Sequence, residues 1–204
     1  MLKNIIGAVH GGAVFNRRAE ILGSRIGELL PPKADVLDVG TGDGTIANIW
    51  VKQNPGISVR GVDIMIRPST NVPVSLFDGT TLPLPDGSVD VVSFVDVLHH
   101  ASDPQRLLSE AARVSRRWVI IKDHFAESRF DNSVLAFMDW VGNAPHGVVL
   151  PYNYWSRQQW NEAFARAGLT IDNLDGRIPL YPQPFNFVFG RGLHFIARLA
   201  KAID

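Results

Sequence analysis

The 204-residue chain contains no cysteine, which removes a thiol nucleophile, a disulfide framework and a thiolate metal site from consideration. It also lacks an excess of charge, since 20 Lys and Arg offset 20 Asp and Glu. No dense basic run occurs, so nucleic acid is a poor expectation for a partner. No apolar run approaches the ~20 residues needed to span a bilayer. At the amino terminus, Met1-Leu2-Lys3 with Ile5, Ile6 and Ala8 is interrupted by His10, Gly11 and Gly12 and followed by Arg17-Arg18, unlike a secretory signal. A cytoplasmic protein is expected, its apolar tip a lid packed on its own domain or, as the lesser alternative, a peripheral membrane contact. Repeats, low-complexity tracts and an interdomain linker are missing too, which leaves one domain over residues 1–204. With 46% hydrophobic residues it can bury a full core unaided.

The most informative stretch is Val36-Leu37-Asp38-Val39-Gly40-Thr41-Gly42-Asp43-Gly44, an apolar strand that breaks into a glycine turn before a helix. Glycines permit the turn and let a ligand approach bare backbone, while the helix behind presents unpaired N–H groups. The dinucleotide fingerprint needs its third glycine at position 45, where Thr45 stands, so this is a related but different loop. A second strand ends at Asp63, about 20 residues past the loop, where a carboxylate can accept both ribose hydroxyls. A third, 72–77, ends at Asp78-Gly79, and a fourth is read over 89–95. Ligands of open parallel sheets bind beyond the carboxyl ends of the strands, so these signals converge on one crevice.

Elsewhere the hydrophobic period alternates between helix and strand, as in a doubly wound α/β domain with helices on both faces. Phe15, Ala19, Leu22, Ile26, Leu29 and Leu30 mark a helix stopped by Pro31-Pro32, within an N-terminal helical lid over 1–32. Asp103-Pro104 starts another, and Ser156 with Gln159 forms a capping box for a helix reaching Gly168. Trp118 to Ile121 reads as a buried fifth strand, with 170–174 and 193–199 as the last two.

The segments 36–44, 61–65, 77–100 and 118–124 together resemble class I S-adenosylmethionine-dependent methyltransferases, most closely the type 11 group. The Asp86-Gly87-Ser88-Val89-Asp90-Val91-Val92 run is the most discriminating piece. The resemblance implies a mostly parallel seven-stranded Rossmann-like sheet with an antiparallel last strand, and S-adenosylmethionine as cofactor. It places Gly40, Thr41 and Gly42 along the methionine part, Asp63 on the ribose, and Asp78 with Gly79 at the adenine, with Asp38, Ile64 and Val95 completing the set. A turn cap is the lesser alternative for Asp78.

The segment 125–155 is longer than a simple connection requires and is expected to cover the crevice as an insertion. Its Asp139, Trp140, His146, Tyr152 and Tyr154 suggest a pocket for a small-molecule acceptor, apolar or aromatic or, as an alternative, lipid-like, around a helical stretch at 135–141. The loop 179–192, with Tyr181, Phe185, Phe187 and Phe189, is a further candidate wall. Methyl transfer needs geometry, dryness and sometimes a base. His124 is the first candidate base and His100 the second, whereas His10 and His194 are expected to lie away from the methyl group. No metal-ligand set is read. Two other classes stay open: a non-catalytic S-adenosylmethionine-binding protein and, less favoured, a nicotinamide-dependent oxidoreductase.

Overall fold

The computed structural model describes residues 17–143, 151–181, 186, 189, 190 and 192–202. Met1 to Asn16, His146, Phe185 and Phe187 thus lie outside the described residues. Seven strands form one sheet: β1 (Asp35–Val39), β2 (Ser58–Asp63), β3 (Val74–Leu76), β4 (Val89–Val95), β5 (Ser115–His124), β6 (Leu169–Asp175) and β7 (His194–Lys201). Their order is β3-β2-β1-β4-β5-β7-β6. Every neighbouring pair is parallel except those made by β7, which runs antiparallel to both β5 and β6. After β3 the chain crosses back to place β4 beside β1, so the order reverses between β1 and β4. That reversal opens the crevice beyond their carboxyl ends.

Two helices pack on each face. The described part of α1, residues 17–27, joins α2 (Thr45–Gln53) on one side. Leu22, Ile26, Ala47 and Trp50 there bury against Val36, Val59, Ile120 and Ile196. On the other side α3 (Pro104–Val114) and α5 (Arg157–Arg166) bury Leu107, Leu108, Ala111, Trp160 and Phe164 against Leu37, Val92, Phe94 and Phe195. Alternate residues of one strand serve opposite faces, as Val36 and Leu37 do, because strand side chains have a period of two. Residues 17–27 are therefore a layer of the core rather than only a cover.

Local signals act where the sequence puts them. Asp103 accepts the Arg106 N–H at 2.9 Å with Pro104 at the first helical position, and Ser156 and Gln159 close their capping box reciprocally. Two strands differ in extent from expectation. β3 is only three residues long and starts after Pro73, which has no N–H to give a ladder. β5 runs from Ser115 to His124, well past the apolar stretch, because the charges at its ends find partners. α4 (Arg129–Asn143) likewise exceeds the expected 135–141, starting where Ser128 accepts the Asp131 N–H and donates to its carboxylate.

The glycine turn is locked to the sheet through Gly61. A Cβ there would stand 2.2 Å from Thr41 Cγ2. Gly61→Ala is expected to push Thr41 and the turn out of place and to lower stability by about 1–3 kcal/mol, the usual cost of overpacking. A melting temperature equal to wild type would show that the turn yields freely.

Candidate active site

The site begins where β1 stops. Gly40, Gly42 and Gly44 all take positive φ (70°, 62° and 73°), the left-handed region that a side chain disfavours. A Cβ on Gly40 would strike Val97 Cγ2 at 2.5 Å, so the turn packs tightly against the loop after β4. At Gly42 the opposite holds, with nothing within 4 Å. Its backbone faces open space, and its N–H donates to Asp63 Oδ2 at 2.8 Å. Asp63 Oδ1 accepts from Met65 N–H at 3.0 Å, which fixes the carboxylate across the mouth of the turn. The first turn of α2 follows directly behind Gly44, which offers no side-chain cap.

Asp38 lies beneath this turn, nearly fully buried, and accepts a hydrogen bond from Ser93 Oγ at 2.7 Å. Burial pushes its pKa up to about 6, although the hydrogen bond from Ser93 works the other way. Ile64 is largely exposed just beyond β2, with its side chain against Gly79. Asp78 caps its own turn, accepting from Thr80 and Thr81 N–H at 2.7 Å each. The turn-capping role ranked second for Asp78 is thus the one its hydrogen bonds display. Val95 is half-buried at the end of β4.

A dense group of charged and imidazole side chains occupies the carboxyl ends of β4 and β5. Asp96, with φ at 57°, is held by the Lys122 ammonium and the Arg18 guanidinium. Burial opposes its charge, but those two cations hold its carboxyl well below the usual range. Asp123 is fully buried and pairs with His99 Nδ1 at 2.7 Å and His124 Nδ1 at 3.1 Å. Burial likewise disfavours charge on His99, yet Asp123 and Asp139 outweigh it and raise the pKa to about 10. His124 is driven well below its ordinary value by burial and by Lys122, which leaves it neutral. His100 is lowered by burial and by the neighbouring charge on His99.

The insertion supplies the roof. Asn153 N–H donates to the His99 carbonyl at 3.2 Å, and Asn153 Nδ2 to that of Ala101 at 2.9 Å. These bonds seat Tyr154 beside the histidines, with ring centroids 5.8 Å from His99 and 6.1 Å from His124. The Tyr154 hydroxyl donates to Asp139 of α4, whose carboxylate stands 3.4 Å from His99 Nε2. Trp140 and Tyr152 are exposed nearby, and an open cleft of about 350 Å³ is lined by Asn132, Ser133, Ala136, Tyr152 and Tyr154.

Residues 14–174 match a family model described as a methyltransferase domain. The chain belongs to that family. It is 28% identical over 166 residues to 2-methyl-6-phytyl-1,4-hydroquinone methyltransferase of Synechocystis sp., covering 72% of this chain and 47% of that protein. Among solved structures it resembles the YcgJ protein of Bacillus subtilis, with a TM-score of 0.65, 18% identity and 90% and 99% of the two chains covered. An S-adenosylmethionine-dependent methyltransferase of Mesorhizobium loti gives a TM-score of 0.61 at 16% identity, over 85% and 94%. The chain spans less than half the length of the curated relatives it matches.

Within this family fold, the cofactor residues expected from sequence do line one sheet edge, and Asp139, Tyr154, His100 and His124 gather at the same edge. His194, expected away from the methyl group, stands beside the first candidate base: β7 enters antiparallel, so His194 pairs in register with His124 and their rings stand 4.9 Å apart. His124 is also more enclosed than a base on an open crevice, being 5% exposed among Asp96, Asp123, Tyr154 and His194. Sequence reasoning placed His99 with His100 at this edge but overlooked Arg18, Asp96, Lys122 and Asp123 as site residues. The available signal was polar residues at the ends of apolar strands, Asp96 after β4 and Lys122-Asp123 in β5.

Asp38 generates a pH-dependent prediction. In the unfolded chain its carboxyl titrates near ~3.9, so a folded pKa of about 6 means that stability is lost as pH rises from about 4 through 6. Asp38→Asn is expected to stabilise the ligand-free protein by roughly 1–3 kcal/mol at pH 7.5 and by little at pH 4. Equal gains at both pH values in thermal melts would contradict a buried charge as the cause.

Proposed function

We propose that this chain is a methyltransferase that takes its methyl group from S-adenosylmethionine and delivers it to a small acceptor with an aromatic or apolar, lipid-like body. The observation that carries the reading is the open backbone at Gly42 with the Asp63 carboxylate fixed across it. Ribose hydroxyls are donors suited to Asp63. An ammonium group suits Asp38, whose buried charge has no cation beside it among the described residues. Ile64 and the Gly79 backbone offer a flat apolar surface for a purine. When bound, S-adenosylmethionine supplies a methyl group already made electrophilic by its sulfonium sulfur.

What remains for the chain is to hold the acceptor, exclude water and take up a proton where the acceptor carries one. The exposed rings of Trp140 and Tyr152 beside the cleft favour an aromatic or apolar acceptor body. A relative named for a phytyl-substituted hydroquinone supports the same class. His124 is neutral and therefore in the accepting form, with Asp123 holding Nδ1 so that Nε2 faces Asp96 at 3.6 Å. His100, half-buried and also lowered in pKa, is the second candidate.

Calorimetry tests the cofactor: S-adenosylmethionine should bind and NAD should not. Asp63→Ala should weaken that binding by about 1–3 kcal/mol, the penalty for unpaired polar partners, and unchanged affinity would remove Asp63 from the ribose role. With a hydroquinone acceptor and labelled methyl donor, His124→Ala should lower turnover roughly 10²- to 10⁴-fold at nearly constant cofactor affinity, with partial recovery at high pH. Full activity in that variant would leave proximity as the main effect, and an absence of turnover in the wild type with every phenolic acceptor tried would overturn the acceptor class.

A further inference from the structure

We propose that the same sheet edge carries a divalent transition-metal site formed by His99, His100 and Asp139. The two histidines follow β4 in a short 3₁₀ turn, Leu98–His100, and Asp139 comes down from α4. His99 is 1% exposed, and its Nδ1–H is committed to the buried Asp123 carboxylate at 2.7 Å. Its Nε2 then points at Asp139 Oδ2, 3.4 Å away, without the alignment of a hydrogen bond. His100 Nδ1 is buried and has no hydrogen-bond partner among the described residues either. In the ion-free chain His99 Nε2 carries a proton toward Asp139, which a metal ion would displace on binding, whereas the unpaired His100 Nδ1 is costly unless something binds it.

A metal ion fits the donor set. Ligand atoms of His99, His100 and Asp139 lie within 4.8 Å of one another. Two atoms bound at ~2.0–2.1 Å in a tetrahedron stand about 3.4 Å apart, which is the His99 to Asp139 separation. The outer contacts are of the kind that orient metal ligands: Asp123 behind His99, and the Tyr154 hydroxyl on Asp139. Two imidazoles and one carboxylate favour zinc, iron, cobalt or nickel over magnesium or calcium. The neighbouring trio Asp96, His99 and His124 is equally compact but unsuitable, because Lys122 and Arg18 already occupy the Asp96 carboxylate and would repel a dication. An ion on His99, His100 and Asp139 would hold an acceptor hydroxyl and ease its ionisation, leaving His124 as the neutral base. That use rests on the methyl-transfer reading, whereas binding of the ion does not.

The test is titration of the chelator-stripped full chain with cobalt(II) alone at pH 7.5. One equivalent should bind with visible d–d absorption that zinc(II) bleaches. His100→Gln, at a half-buried residue whose loss disturbs the fold least, and Asp139→Asn should each weaken cobalt binding by more than about tenfold. Circular dichroism and melting of each variant establish that it is folded. Absence of saturable absorption in the wild type, or unchanged affinity in both folded variants, would overturn the site. Calorimetry of S-adenosylmethionine on the same samples separates the two readings. Cobalt binding without cofactor binding sinks methyl transfer alone, and the reverse result sinks the metal site alone.

Discussion

Asp96 sits in the left-handed backbone region, a conformation that costs a non-glycine residue of order 1–3 kcal/mol and persists only where its surroundings over-determine it. Here Lys122 reaches it from β5 and Arg18 from α1. Lys122 and Asp123 are both fully buried, so each charge is tolerable only while its partner is in place. Removing one member of such a pair typically costs about 3–5 kcal/mol. The network therefore binds the first helix, the end of β4 and the end of β5 into one rigid edge. Trp160 of α5 braces that edge from below by donating to the His124 carbonyl at 2.9 Å.

Rigidity at this edge decides what the glycine turn can do. Gly40 is pressed against Val97 in the loop that Asp96 begins, so the turn after β1 inherits its position from the charge network. Asp63 then fixes the free side of Gly42. The open backbone at Gly42 is thus preorganised by contacts on both flanks, and a ligand meeting it has little ordering left to do.

The parts of this arrangement that were legible in the sequence are those written locally. The turn after Val39, the acid ending β2, the cap at Asp103 and the capping box at Ser156 each depend on residues only a few positions apart, or on a spacing fixed by the βαβ unit. The unread parts are long-range. Lys122-Asp123-His124 looks like a loop to any rule that scores apolar runs, yet it is buried strand because Asp96 and His99 pair with its charges from sequence distances that no local pattern encodes. The nearness of His194 to His124 was unread for a related reason: it follows from β7 inserting antiparallel between β5 and β6, a topological fact rather than a residue pattern. The roof was half legible, since the length of 125–155 signalled an insertion, whereas the seating of Tyr154 rests on Asn153 binding the carbonyls of His99 and Ala101.

Likeness to distant structures concerns the fold and does not by itself choose a reaction. Neighbours at 16–18% identity have the sheet in common with this chain, and a fold by itself hosts many reactions. The residues that would choose a reaction here are the histidines after β4, the acid and hydroxyl brought by the insertion, and the neutral His124 enclosed among carboxylates. Their protonation states differ within a few ångströms: His99 is held charged by two acids, while His124 and His194 are held neutral by burial and by Lys122. Environments that push neighbouring groups apart in this way are how one small edge offers both a cationic and a basic imidazole at neutral pH. The separation depends on Lys122 staying charged against Asp96, and through that pair the first helix, which holds Asp96 by Arg18, acts on the chemistry of residues it never touches.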